Sequence, residues 1–250
     1  MYKEHPVLEK PHDENTKVWR YLDFTKFVSL IDKKALFFSI ADSLGDPFEG
    51  SYSKANIKLR PTVYKCIPKN SLDKIQKQTE VLSKEIRKFT VINCWHMNEY
   101  ESAAMWKLYL KSNEGVAIQF TFTRLTESLN NYEENDVFVG KVNYINYETE
   151  WLPEGNSFYP FLHKRKSFEH ERELRAIIQK VPVRHGRVDW SQEIFGIGTY
   201  VDVDLNILIE KVLLSPTSPA WFSQLVKSVV KKYNVKKEVI QSSLDDQPVY

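Results

Sequence analysis

Glu171, Glu173 and Arg175 alternate along the segment Phe168-Glu169-His170-Glu171-Arg172-Glu173-Leu174-Arg175-Ala176-Ile177-Ile178. In an extended chain this spacing puts the two glutamates and Arg175 on one face, with Leu174, Ala176 and Ile178 on the other. Two like charges on one face of a strand entering a core raise each other's pKa and need a cation, which Arg175, Lys164 or Lys166 can supply. Such a cluster suits acid–base or charge-stabilising chemistry; a structural ion network is the competing reading.

Three further segments concentrate polar residues. Arg20-Tyr21 lies in the apolar run Val18 to Leu22, where an arginine is costly to bury without an anionic partner. Its alternative is a rim arginine in a surface ion pair. Ser39 to Glu49 contains Asp46-Pro47, a strong turn signal, so Asp46 can simply cap the turn while Glu49 points into a cleft. In Trp95 to Tyr109, helical spacing aligns Glu101, Met105 and Tyr109, with Ser102, Trp106 and Tyr109 in a neighbouring stripe. A carboxylate beside two rings can hold a base or nicotinamide by stacking, or the rings can be core with Glu101 favoured by the helix dipole.

Other chemistries find no support. Gly45 and Gly50 have the spacing of a phosphate loop, but Ser51 replaces the lysine and Asp46 and Glu49 would repel a phosphate. Gly196-Ile197-Gly198 opens a strand, not the helix of a dinucleotide fingerprint. His163 and His170 lack the spacing of a helical metal pair, and no metal is expected. There is no Gly-x-Ser-x-Gly. Cys66 and Cys94 form no CxxC, and Cys94 in an apolar run reads as a buried thiol.

The elements that must carry these residues alternate irregularly, without a repeated strand–helix–strand unit. Strands are predicted at 18–22, 35–39, 90–95, 116–122, 137–147, 173–180, 199–203, 211–215 and near Val239. Helices are predicted after a Thr25 cap, from a Ser71 cap to Phe89, over 101–111, and after a Ser218 cap with Trp221, Phe222, Leu225, Val226, Val229 and Val230 buried. The reading is α+β: one mixed domain over 17–250 with a central, largely antiparallel sheet flanked by helices, preceded by an extended arm over 1–16. At 42% apolar and 27% charged the chain is globular in composition. No signal region or long apolar run occurs, which points to the cytoplasm and no membrane. A net charge of +2 does not by itself imply a nucleic-acid partner, but residues 54–88 carry ten Lys/Arg against three acids. That stretch is a possible nucleic-acid face or a solvated amphipathic helix.

These segments together resemble a bacterial family, domain of unknown function 2971, through Arg20-Tyr21, Ser39 to Glu49, Glu101-Ser102 with Met105-Trp106 and Tyr109, Gly115 to Ile118, Phe168 with Glu171-x-Glu173-x-Arg175, and Ser215-Pro216. More distantly the chain resembles ADP-ribosyltransferases, in which an early-strand arginine or histidine, a central polar residue with rings, and a late-strand glutamate occur in that order. Arg20, the Ser39 or Tyr109 region, and Glu173 fall in this order. The resemblance implies NAD as co-substrate, an ADP-ribosyltransferase-like fold, and a role in bacterial defence or toxin systems. It implies Glu173 as central carboxylate and Glu171 as an accessory acid preparing the acceptor. Arg20 would bind pyrophosphate and Tyr109 or Trp106 would stack on nicotinamide, with Tyr21, Ser39 and Arg175 completing the cofactor site. The acceptor macromolecule stays open. Rival readings are a nucleotide-binding sensor without turnover, and a metal-dependent nucleic-acid enzyme gathering Asp46, Glu49, Glu171 and Glu173 around Mg²⁺.

Overall fold

In the computed structural model, which describes residues 1–110 and 112–249, the apolar run around Val91 becomes an eight-residue strand, Thr90–Met97. One edge of this strand pairs antiparallel with Glu173–Gln179, from Thr90 opposite Gln179 to His96 opposite Glu173. Val137–Lys141 follows antiparallel and Tyr2–Lys3 parallel. The N-terminal arm is therefore tied into the sheet.

The other edge of Thr90–Met97 is shared. Lys17–Asp23 takes one end, pairing Val18 with Met97 and Trp19 with His96. Ala35–Ile40 takes the opposite end, pairing Ser39 with Ile92 and Ile40 with Val91. Residues 93–95 have no ladder partner on that edge, and the sheet forks there. One branch runs on through Gly115–Thr121, Lys211–Leu214 and Val239–Gln241, the other through Gly198–Asp202.

The helix Phe24–Lys33 links the two branches. Asp23 caps it by accepting from the Lys26 amide at 2.8 Å, and Lys34 ends it in the left-handed region at φ 51°. Its buried Phe27, Leu30 and Ile31 join Val18, Leu22, Trp95, Ile118, Leu174 and Ala176 in the main core. Fully burying each large side chain of this kind is worth roughly 1.5–3 kcal/mol. Helices Phe122–Ser128 and Ala220–Lys232 cover the same face. On the opposite face, Ala103–Tyr109 packs Met105 and Trp106 on Trp19 and Tyr21, while Phe158, Phe161 and Leu162 cover Ile92 and Ile177. The architecture is the expected α+β arrangement with a largely antiparallel sheet.

Several local expectations are corrected. Asp23, not Thr25, caps the first helix, because its carboxylate reaches the Lys26 amide. The long helix spans Lys69–Ile86 behind Pro68, so Ser71 lies inside it. Of its apolar residues only Ile86 and the following Phe89 are buried; Ile75 and Leu82 face solvent. Ser218 bonds Gln241 rather than capping the last helix, whose Trp221 and Leu225 are exposed. The strand expected over 137–147 breaks at Val142, beyond which Asn143–Ile145 pairs with His163–Arg165. The helix expected over 101–111 is Ala103–Tyr109, capped by Ser102; residue 111 lies outside the described residues. Among the described residues three α-helices were unexpected: Phe122–Ser128, the short Leu205–Leu208, and Lys54–Val63, the last despite Pro61. No helix among the described residues is long and apolar enough to cross a membrane.

Candidate active site in the fork of the sheet

The fork holds a cavity of about 720 Å³, within the range of small-molecule sites. Arg20, Tyr21, Ser39, Tyr109, Glu171, Glu173 and Arg175 all line it. Trp106 does not. Its indole N–H donates to Glu101 at 3.0 Å and its ring stands edge-on behind Tyr21 at 4.9 Å, which corrects its expected place as a stacking ring. Glu101 is also structural: it accepts from Ser242 Oγ at 2.6 Å and from the Ser243 amide at 3.1 Å, tethering the C-terminal segment.

Strand alternation sets the two walls. Glu173 and Arg175 lie opposite His96 and Cys94 and so share their face of the sheet. Glu171 reaches the same place by another route than the one expected. It ends the 3₁₀ turn Lys166–Glu171, and Arg172 at φ 42° turns the chain into the strand. Arg20, opposite Ile118, belongs to the main-core face and enters the fork from that side. Its Nη1 donates to the Cys94 carbonyl at 3.4 Å, a group that the opened ladder leaves free. One strand separates Lys17–Asp23 from Glu173–Gln179, so their lateral spacing is about 10 Å. Arg20 and Glu173 thus share the cavity without touching.

The carboxylate wall is one buried network. Arg175, 1% exposed, grips Glu49 with both terminal nitrogens, one contact at 3.0 Å. Its Nε donates to Glu173 at 2.5 Å and its Nη1 to the Phe161 carbonyl at 2.7 Å. Lys164 donates to Glu173 at 2.8 Å and to Glu171. The Tyr144 hydroxyl accepts from the Glu173 amide at 2.8 Å. Beside the network, Arg165 donates to Asp46 at 2.8 Å.

The environments of the two glutamates push their acidities apart. Burial raises Glu171, its hydrogen bond with Glu173 and that residue's charge raise it further, and together they outweigh Lys164 to bring it to about 7. Burial is also the largest influence on Glu173, but Arg175, the hydrogen bond from Glu171 and Lys164 combine to hold it well below the usual carboxylate range. When Glu171 carries its proton, the anions Glu49 and Glu173 balance the cations Arg175 and Lys164. Loss of that proton leaves one excess negative charge, which is why Glu171 is the group that exchanges it.

Arg20 is different in kind. Its charge is disfavoured by burial, and among the described residues no carboxylate lies within ion-pair distance of it. Tyr109 connects the walls. The residue is 47% exposed, yet burial around its hydroxyl, then Glu171 and Glu173, raise its pKa while Arg20 draws it down. Burial pushes the Cys94 thiol up to about 12, which makes it a poor nucleophile.

Several lining residues, four of them polar or aromatic and close to the network, were not singled out by their type and spacing as site residues. Asn93, Trp95 and His96 follow one another along the fork strand, and Phe168 receives the ammonium of Lys164 at 4.7 Å from its ring centroid. A polar Asn93 inside an apolar run was the available signal. The acids proposed for Mg²⁺ are each engaged by Arg165, Arg175 or Lys164, so they form no free cation cradle. The basic stretch forms the helices Lys54–Val63 and Lys69–Ile86, none of whose side chains lines the cavity. Lys74, Lys77 and Lys84 are exposed there, and Lys84 pairs with Glu80.

Comparison with known protein families, with curated proteins and with solved structures returns no match for this chain.

Proposed function

We propose that the fork cavity binds NAD and that the chain breaks its nicotinamide–ribose bond, passing the ADP-ribosyl unit to an acceptor or to water. One observation carries this reading: two adjacent carboxylates with separated acidities share a cavity with an arginine that has no carboxylate partner among the described residues. Departure of nicotinamide leaves positive charge on the ribose, and a carboxylate fixed as an anion, Glu173, stabilises it. Glu171 holds the exchangeable proton and serves the incoming acceptor. Arg20 has donors free for a pyrophosphate, and Tyr109 offers a ring between the two walls. Membership of the domain of unknown function 2971 family and an ADP-ribosyltransferase-like fold belong to the same proposal. The family membership rests on Arg20-Tyr21, Ser39 to Glu49, Glu101-Ser102 with Met105-Trp106 and Tyr109, Gly115 to Ile118, Phe168 with Glu171-x-Glu173-x-Arg175, and Ser215-Pro216, and the transferase-like fold on the chain order of Arg20, the Ser39 or Tyr109 region, and Glu173. So does a place in bacterial defence or toxin systems.

The test is NAD loss on incubation with cell extract. The expected result is consumption that Glu173→Gln abolishes and a chelator leaves unchanged. Consumption that survives Glu173→Gln, or that needs a divalent metal, overturns the assignment. A second reading, a nucleotide sensor, is favoured by one fact: both Glu173 oxygens are already ion-paired. Saturable NAD binding without turnover would select it.

A further inference from the structure

Asn93 Oδ1 and Trp95 Nε1 are buried and have no hydrogen-bond partner among the described residues. Both residues line the fork cavity, and they are 2% and 3% exposed. Buried side-chain polar atoms are almost always paired, so these two orphans, with His96 Nε2 as a third on the opposite face of the same strand, demand an explanation. The described residues around them do not supply one. Asn93 commits its amide N–H to the Phe37 carbonyl at 2.7 Å, and Trp95 meets Phe120 ring to edge. These two side chains occupy the stretch of strand whose edge the fork leaves open.

The chemistry of the missing partner follows from the atoms. Oδ1 accepts and Nε1 donates, so the complement presents an N–H and an acceptor together. Residues 93 and 95 point to the same face about 7 Å apart along the strand, which is the face from which Arg20 enters. We propose that Asn93 and Trp95 read the donor–acceptor edge of a nucleotide's ring, a nucleobase or a nicotinamide carboxamide, while Arg20 takes the attached phosphate. This deepens the nucleotide reading of the cavity and does not depend on turnover.

Titration calorimetry on the full chain tests it with two pairs of probes. AMP is set against purine riboside monophosphate, which lacks the amino group, and nicotinamide mononucleotide against nicotinic acid mononucleotide, which lacks the amide N–H. The amino-bearing member of one pair binds about tenfold tighter, the worth of one good hydrogen bond, and the pair that shows it identifies the ring. Trp95→Phe weakens that ligand by a similar factor and leaves inorganic pyrophosphate binding intact, which separates loss of the indole donor from loss of fold. Equal affinity within each pair, or no saturable binding of any probe, overturns the proposal. An edge preference without NAD turnover would sink only the catalytic reading; turnover without an edge preference would sink only this one.

Discussion

Replacing Arg175 by methionine removes the cation at the centre of the buried network and leaves its shape nearly filled. Glu49 and Glu173 then stay buried, with Lys164 the one cation left to Glu173, and the Phe161 carbonyl loses a donor. Breaking a buried pair from one side costs about 3–5 kcal/mol, a large part of the 5–15 kcal/mol that holds a typical domain. With a urea slope of about 3 kcal/mol/M for a chain of this size, the unfolding midpoint at pH 8 falls by roughly 1–1.7 M. The loss has a signature in pH. In the native network Glu173 is held below its ordinary pKa, so its contribution is present above that value and fades as pH falls through the depressed one. Without Arg175, burial dominates and Glu173 favours its proton, so acid relieves the variant. The deficit should therefore narrow between pH 8 and pH 5. A midpoint shift below about 0.3 M, or a deficit that grows on acidification, refutes the reasoning.

Other expectations concern single features. Glu171 is raised in the fold, so its stabilising contribution is present below its ordinary value of 4.5 and lost as pH rises towards about 7. Glu171→Gln should flatten the stability of the protein across that window in urea titrations. Gly50 sits at φ +70°, and an added Cβ would lie 2.7 Å from the Phe161 ring; Gly50→Ala should cost at least about 1–2 kcal/mol in thermal or urea unfolding. Glu101→Ala should release the Ser242–Ser243 tether, with about tenfold faster amide exchange at Ser243 and no change in nucleotide affinity.

The strands were legible because their apolar runs are dense and bounded by turns, and the Glu173–Ile178 alternation appears as it reads: polar to the cavity, apolar to the core. The four polar segments converge for the same reason, since each lies at the end or the middle of a strand that borders Thr90–Met97 or in a helix beside it. What could not be read is the fork. It arises from the register with which two distant strands share one edge, and register over that sequence separation leaves no local trace. Trp106 shows a similar limit. Helical spacing placed it beside Tyr109, but only tertiary packing decides that it backs Tyr21 while Tyr109 faces the cavity. Glu171 was legible by type and misplaced in geometry, because the left-handed Arg172 interrupts the strand just before Glu173. Caps failed where a proline preceded the helix, at Pro68 and Pro219, and displaced the serine expected to act.

The most direct measurement is a crystal structure of the Glu173→Gln variant with NAD. The account predicts the dinucleotide in the fork, its pyrophosphate within hydrogen-bonding distance of Arg20 and the anomeric carbon of its nicotinamide ribose facing position 173. A dinucleotide bound on any other surface, or a fork that stays empty at saturating NAD, would contradict it.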